Sequence, residues 1–376
     1  MPRPPPLPNI GRTRFIAVGA CALDTILTVP HFPAPDSKLR ATGLSKRGGG
    51  NAPNTLEVLQ QLAGFDVQSQ QSNALELHLI ATLPSESCAQ TRYLGASFNK
   101  PGAVGVDLSH CIFREDHTEP VSSYIISDES TSTRTIVNHN PLPEMEGEEF
   151  REQIDHLLLR EDIVEFDQIW IHFEGRIPDV TFACMCYLRS HDAFHGRLEY
   201  EGARLPRMMI SVELEKPGRE GLQKLAFTAD MTFYSRAWAE SQGYNNAEMC
   251  VRAQGAILGG QADMDNKLLM CTWGDKAACA LPLYENDRRL VPGNVVRSAA
   301  QDLTNEQIVD STGAGDTFIA GMLFGLISRG HFCKDRRYIW DLPKALRFAN
   351  ALAGRKIMQQ GFGGLAAHLQ DMLLVR

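Results

Sequence analysis

The sequence predicts an α/β domain built on a mostly parallel central sheet, with helices on both faces and a small β-sheet lid. Three observations carry this prediction. Near-continuous apolar runs at residues 168–173, 208–212, 231–234 and 268–273 alternate with helical segments, as strands buried on both faces by crossover helices do. Two glycine-rich stretches, 48–50 and 313–315, each run into a segment of helical periodicity. Ser and Thr alternate with apolar residues over 122–128 and 133–139, the pattern of a hairpin with one wet face.

Taken in order, residues 1–12 form a proline-rich tail, expected to be disordered and without the apolar core of a signal peptide. Residues 14–20 read as a buried first strand, with Asp24 just past its end, where open α/β sheets place ligand groups. Residues 31–46 are extended and polar. Residues 51–63 form a helix, with Leu56, Leu59, Leu62 and Ala63 on one face, Pro53 tolerated in its first turn and Gly64 suited to its C-terminal cap. Residues 68–72 read as a surface insertion and 76–82 as a strand, followed by a helix around Tyr93 and Leu94. The hairpin follows, then the βα alternation, and residues 285–306 look like a charged loop. The last helix covers 344–359. Nothing resembles a domain linker between Phe15 and Gly361, so residues 13–370 are expected to be one domain, with a discontinuous lid from about 36–48 and 119–139.

Composition narrows the function. A net charge of −8 lacks the basic face a nucleic-acid partner requires. No run of about 18 apolar residues exists, so no membrane span is expected. The nine cysteines are odd in number, scattered and without a paired C-x-x-C set. Reduced thiols in a cytoplasmic protein are the simplest account.

The chemistry concentrates in residues 308–318. Gly313, Ala314 and Gly315 lead into a helix N-terminus, whose unpaired N–H groups and dipole make an anion site. Asp316, in the same turn, would repel an anion, so it needs another role; a base facing an attacking hydroxyl fits. Read alone, this loop is a capped helix start. The second glycine-rich stretch changes the balance: Gly50 permits close approach of a ligand, and the amides of Asn51 and Asn54 can hold a neutral polyol through donors and acceptors alike. Arg134 follows the hairpin turn, where a lid could carry a phosphate-binding guanidinium. No G-x-G-x-x-G follows the first strand and no Gly-Lys-Ser/Thr occurs, which disfavours a Rossmann dehydrogenase and a P-loop kinase.

The stretches Gly48-Gly49-Gly50-Asn51-Ala52-Pro53-Asn54 and Asp310-Ser311-Thr312-Gly313-Ala314-Gly315-Asp316-Thr317-Phe318, in this order and at this separation, resemble the two signatures of the ribokinase-like (PfkB-type) carbohydrate kinases. Residues 22–24, 35–37, 133–137, 170–176 and 211–217 bring the likeness closest to the branch that phosphorylates ketoses, and it spans about residues 14–365. The resemblance implies a three-layer α/β/α fold, an ATP-dependent sugar kinase and Mg²⁺; whether a monovalent cation such as K⁺ takes part is left open. It makes Asp316 the catalytic base and Gly313, Ala314 and Gly315 the anion hole. It assigns the sugar to Asp24, Gly50, Asn51 and Asn54, and the nucleotide to Arg134 and the segment Gly274, Asp275, Lys276 and Ala277. Asp36 matches a lid acid that reaches the partner subunit's sugar, so a homodimer through the lid is implied. With an ordinary pKa near ~3.9, Asp316 is expected to be ionised at neutral pH. Where many members have Asn-x-x-Glu, this chain has Ser235-Arg236-Ala237-Trp238, which leaves the metal ligands unassigned, with Glu213 and Glu215 as groups that could act through water. Fructose, phosphorylated at its C1 hydroxyl, is the leading substrate; ribose, a nucleoside, another sugar, or a catalytically weak sugar-binding regulator are the alternatives.

Overall fold

The computed structural model describes residues 12–68, 75–99, 103–131, 133–159, 163, 166–191, 206–259, 266–286, 289–329, 331–332, 338–339 and 341–369. The expected tail up to residue 11 and residues 69–72 of the expected insertion at 68–72 lie outside these.

Strands alternate with helices as the apolar runs predict. In chain order the strands are β1 (Thr13–Val18), β2 (Ala22–Val29), β3 (Gly43–Gly49), β4 (Leu75–Ile80), β5 (Thr82–Pro84), β6 (Val106–Asp107), β7 (Ile112–Arg114), β8 (Val121–Asp128) and β9 (Thr133–His139). They continue with β10 (Gln168–Glu174), β11 (Arg207–Leu214), β12 (Met231–Tyr234), β13 (Lys267–Thr272), β14 (Ala277–Asn286), β15 (Arg289–Pro292) and β16 (Val296–Ala299). The large sheet runs β15-β14-β13-β12-β11-β10-β1-β4-β6, with β16 also on β14. From β13 to β6 every pairing is parallel; β14 to β16 add an antiparallel edge.

Alternation along each strand sends side chains to two cores. Phe15, Leu77, Trp170 and Met270 face one side, packed under helices Asn51–Gln68, Ala314–Arg329 and Leu342–Ile357. Ile16, Ile171, Ile210 and Leu269 face the other, packed with helices Gly147–Leu157, Pro178–Ser190 and Ala247–Gly259. Three layers result.

A separate four-stranded sheet, β3-β2-β8-β9, stands beside this body. It departs from the expected lid in one respect: β2, a strand not anticipated, lies at its centre, antiparallel to β3 and parallel to β8. Asp24 is therefore a mid-strand residue of the small sheet, not the end of β1. Two further corrections concern elements. Residues 285–306 are not a plain loop, since β15 and β16 form there as edge strands. Gly64 does not end its helix, which continues to Gln68. Among the described residues no helix is long and apolar enough to cross a membrane.

Candidate active site

Two helix N-termini converge at the edge between the sheets. Helix Asn51–Gln68 starts directly after β3, and helix Ala314–Arg329 starts after the loop containing Asp310. The turn into the first requires Gly50, whose φ is 105°; a Cβ there would sit 2.1 Å from the Ala20 carbonyl oxygen. The turn into the second requires Gly313, at φ 78°, whose added Cβ would lie 2.3 Å from the Phe362 ring. Both positions combine a left-handed backbone with close approach, the conditions that select glycine.

The convergence places Asn54 against Asp316. The Asn54 amide donates to the Asp316 carboxylate at 2.7 Å, and both side chains are buried. Thr317 caps the turn, its hydroxyl donating to the Gly313 carbonyl at 2.8 Å. Between Ala20 and Asp316 opens a cavity of about 530 Å³. Asp24, Gly50, Asn51, Asn54, Arg134 and the run Gly313–Asp316 all border it. Asp36 and residues 274–277 do not. Asp36 occupies an exposed turn with φ 59°. Residues 274–277 form the β13–β14 turn, which follows Thr272 on the cavity wall. Gly274 carries the positive φ of that turn.

Three acids that sequence reasoning left without a firm role complete the wall: Glu174, Glu213 and Glu215, at or just past the ends of β10 and β11. Asn51 donates to Glu213 at 2.9 Å and to Glu215 at 3.1 Å. Glu174 accepts from the Ala20 N–H at 3.0 Å. Burial raises the pKa of Glu213, and the neighbouring Asp316 and Glu215 charges raise it further. Asp316 is pushed up to about 8, first by burial and then by Glu215 and Glu174, against the lowering effect of its bond from Asn54. This corrects the expectation of an ordinary aspartate: the fold withdraws Asp316 from water and surrounds it with like charge.

A second network anchors the loop. Asp310 pairs with Arg47 at 3.1 Å and with fully buried Lys356 at 3.0 Å, and its second oxygen accepts from Thr312 N–H at 2.9 Å. These partners hold Asp310 well below the usual carboxylate range, although burial opposes them. Arg47 also reaches Asp24 at 3.6 Å, linking the small sheet to the loop. Burial raises Asp24, while Arg47 and Ser123 lower it. Arg134 donates to the Ser311 hydroxyl, so the β9 guanidinium already touches the glycine-rich loop. Sequence reading missed Arg47 and Lys356. Arg47 adjoins the first glycine run, which is a usable signal, whereas Lys356 sits in a helix with nothing to distinguish it from a solvated lysine.

In place of Asn-x-x-Glu, Ser235 caps helix Arg236–Ser241, its Oγ accepting from Trp238 N–H at 3.0 Å. Trp238 is buried against Tyr234, ring centroids 4.8 Å apart. That position serves packing.

Residues 293–366, which include the Asp310–Phe318 loop, match the family described as pfkB family carbohydrate kinase. The chain is 27% identical to ketohexokinase of Mus musculus over 353 residues, 94% of this chain and 98% of the relative. Solved structures share the fold at low identity. Ribokinase of Giardia lamblia is 13% identical with a TM-score of 0.65, covering 97% of this chain and 98% of that one. Arabidopsis thaliana ribokinase, complexed with ribose and ATP, is 14% identical with a TM-score of 0.64, covering 97% and 100%. The chain is thus similar to the carbohydrate kinases of the PfkB family, phosphotransferases with an alcohol group as acceptor.

Proposed function

We propose that the protein transfers the γ-phosphoryl group of ATP to the C1 hydroxyl of a ketose, with fructose the leading substrate. The observation that carries this reading is the convergence of Asp316, Asn54 and the Gly313–Gly315 turn on one cavity with Asp24 and Asn51. The full-length likeness to ketohexokinase points to a ketose. Arabidopsis ribokinase was solved with ribose and ATP, so ribose is the second reading.

In this mechanism Asp24, Asn51 and Asn54 hold sugar hydroxyls, and Asn54 orients the Asp316 carboxylate. Asp316 takes the proton of the attacking hydroxyl. Phosphoryl transfer has a loose transition state, so the proton leaves late and positioning carries much of the rate. The N–H groups at the start of helix Ala314–Arg329 face the transferred phosphate, where developing charge is stabilised without reorganisation. Arg134 and the 274–277 turn bind the nucleotide. Arg134→Ala should therefore raise the KM for ATP by about 10–100-fold, as loss of a hydrogen bond to a charged group does. An unchanged KM removes Arg134 from the site.

The acid-rich wall suits a hydrated divalent cation. Mg²⁺ retains several waters and binds through one or two carboxylates together with phosphates, and Glu213 and Glu215 would hold it, directly or through water. When bound, Mg²⁺ neutralises charge on the phosphates.

The outer face of the small sheet supports the homodimer. Leu27 pairs with Leu44 and Tyr124 with Val137 in register, and all four are exposed; a contiguous apolar patch of this kind marks an interface. Asp36 would then act across it. Sedimentation should show a dimer that Tyr124→Glu with Val137→Asp dissociates; a wild-type monomer refutes it. The eight described cysteines are free and mostly buried, in keeping with a cytoplasmic location.

A panel of fructose, ribose, other sugars and nucleosides with ATP–Mg²⁺, with and without K⁺, tests the substrate. The highest kcat/KM is expected for fructose. A higher value for ribose or a nucleoside replaces the ketose reading, and no turnover with any acceptor favours a regulatory sugar-binding protein.

A further inference from the structure

At the β6 edge of the large sheet, among residues that do not border the kinase cavity, two histidines and an aspartate point at one another. His78 on β4 and Asp107 on β6 are register partners, and His110 follows in the next turn. One ligand-capable atom from each of the three lies within 4.8 Å of the others. The His78 and His110 rings are 5.8 Å apart, centroid to centroid. A cavity bordered by Glu76, His78 and Asp107 gives access from solvent.

The orientation of His78 carries the inference. Its Nε2 lies 2.6 Å from Glu76 Oε1. Glu76 is also held by Arg14 at 2.9 Å and Arg12 at 3.3 Å, so it is an ionised acceptor and Nε2 must carry the proton. In the neutral ring Nδ1 is then a bare lone pair. That nitrogen is buried, with no hydrogen-bond partner among the described residues, and Asp107 Oδ2, 3.5 Å away, cannot donate to it when ionised. A buried acceptor without a donor is costly. A cation removes the cost, and a carboxylate fixing the far nitrogen of an imidazole is the outer-shell arrangement that metal-bound histidines show. Asp107 Oδ1 accepts from Ser109 N–H at 2.8 Å, which leaves Oδ2 toward His78.

We infer that His78, Asp107 and His110 form a binding site for a transition-metal dication of the Zn²⁺ type. Two imidazole nitrogens and one carboxylate oxygen match Zn²⁺ and exclude Mg²⁺ or Ca²⁺, which take oxygen donors. Metal–ligand distances of about 2.0–2.2 Å require the three groups to close modestly, which the exposed Asp107 and the half-buried His110 can do around the fixed His78. The three protein ligands leave a fourth position for water. Such an ion would tie β4, β6 and the following turn together at the sheet edge.

The test is titration of chelator-treated full-length protein with Zn²⁺, and with Co²⁺ for the visible absorption of a four-coordinate site. One ion per chain is expected. His110→Ala and Asp107→Asn, both at accessible positions, should each weaken binding more than tenfold, and Glu76→Gln by about 10–100-fold through the ring it orients. A Glu215→Gln variant should bind Zn²⁺ as wild type does. Absence of Zn²⁺ binding by the wild type, equal binding by the His110 and Asp107 variants, or loss of binding in the Glu215 variant instead would overturn the site.

Discussion

Asp316→Asn should lower kcat by about 10²–10⁴-fold, the usual contribution of a positioned general base, while making the protein more stable at neutral and alkaline pH. The two effects have one origin. The Asp316 carboxyl has a pKa raised to about 8 by burial and by the Glu215 and Glu174 charges. Between the ordinary value and 8 the folded state holds a proton that the unfolded chain has released. Wild-type stability therefore falls as pH rises through that window, and Asn removes the group responsible. A merely structural Asp would show the opposite sign in stability. Because the base must be unprotonated, kcat/KM for the wild type should rise toward pH 8 and lose that limb in the variant. Kinetics and urea denaturation at several pH values check both halves. Unchanged turnover removes Asp316 from catalysis, and a less stable variant contradicts the account of its environment.

Gly50→Ala should be the most damaging conservative change near the site. At φ 105° an alanine is strained, and its Cβ would meet the Ala20 carbonyl oxygen at 2.1 Å. The obstacle is backbone, so no side chain can move aside. Strain and overpacking together should cost about 2–6 kcal/mol, with sugar KM raised because Asn51 and Asn54 follow in the displaced turn. Gly147 has nothing within 4 Å of an added Cβ, so Gly147→Ala should stay within about 0.5 kcal/mol. Urea unfolding of the two variants is the check. A Gly50→Ala protein within 1 kcal/mol of wild type would show that the turn does not need glycine.

Much of the fold could be read from the chain because long apolar runs admit few arrangements. The runs at 168–173, 208–212, 231–234 and 268–273 became β10 to β13, and both glycine stretches became helix entries. What stayed hidden has physical causes. Ala22–Val29 follows β1 after three residues, too closely for a crossover, so the chain looked continuous there although it enters another sheet. The strands in 285–306 are short edges with one face in solvent, and charge at an edge mimics a loop. At the site, Asp316 and Asn54 could be named, but their contact joins residues 262 positions apart. The raised pKa of Asp316 depends on burial and on acids from two other strands, neither of which local spacing encodes. Lys356 carries no local mark, because its partner Asp310 is 46 residues away.

The most direct test of the central claim is to follow ATP and fructose by ³¹P NMR in the presence of the wild-type protein and Mg²⁺. The account predicts one sugar phosphate ester formed per ADP, attached at C1, with none formed by Asp316→Asn on the same time scale. ADP release without an ester, or ester formation that survives the Asp316 substitution, would contradict it.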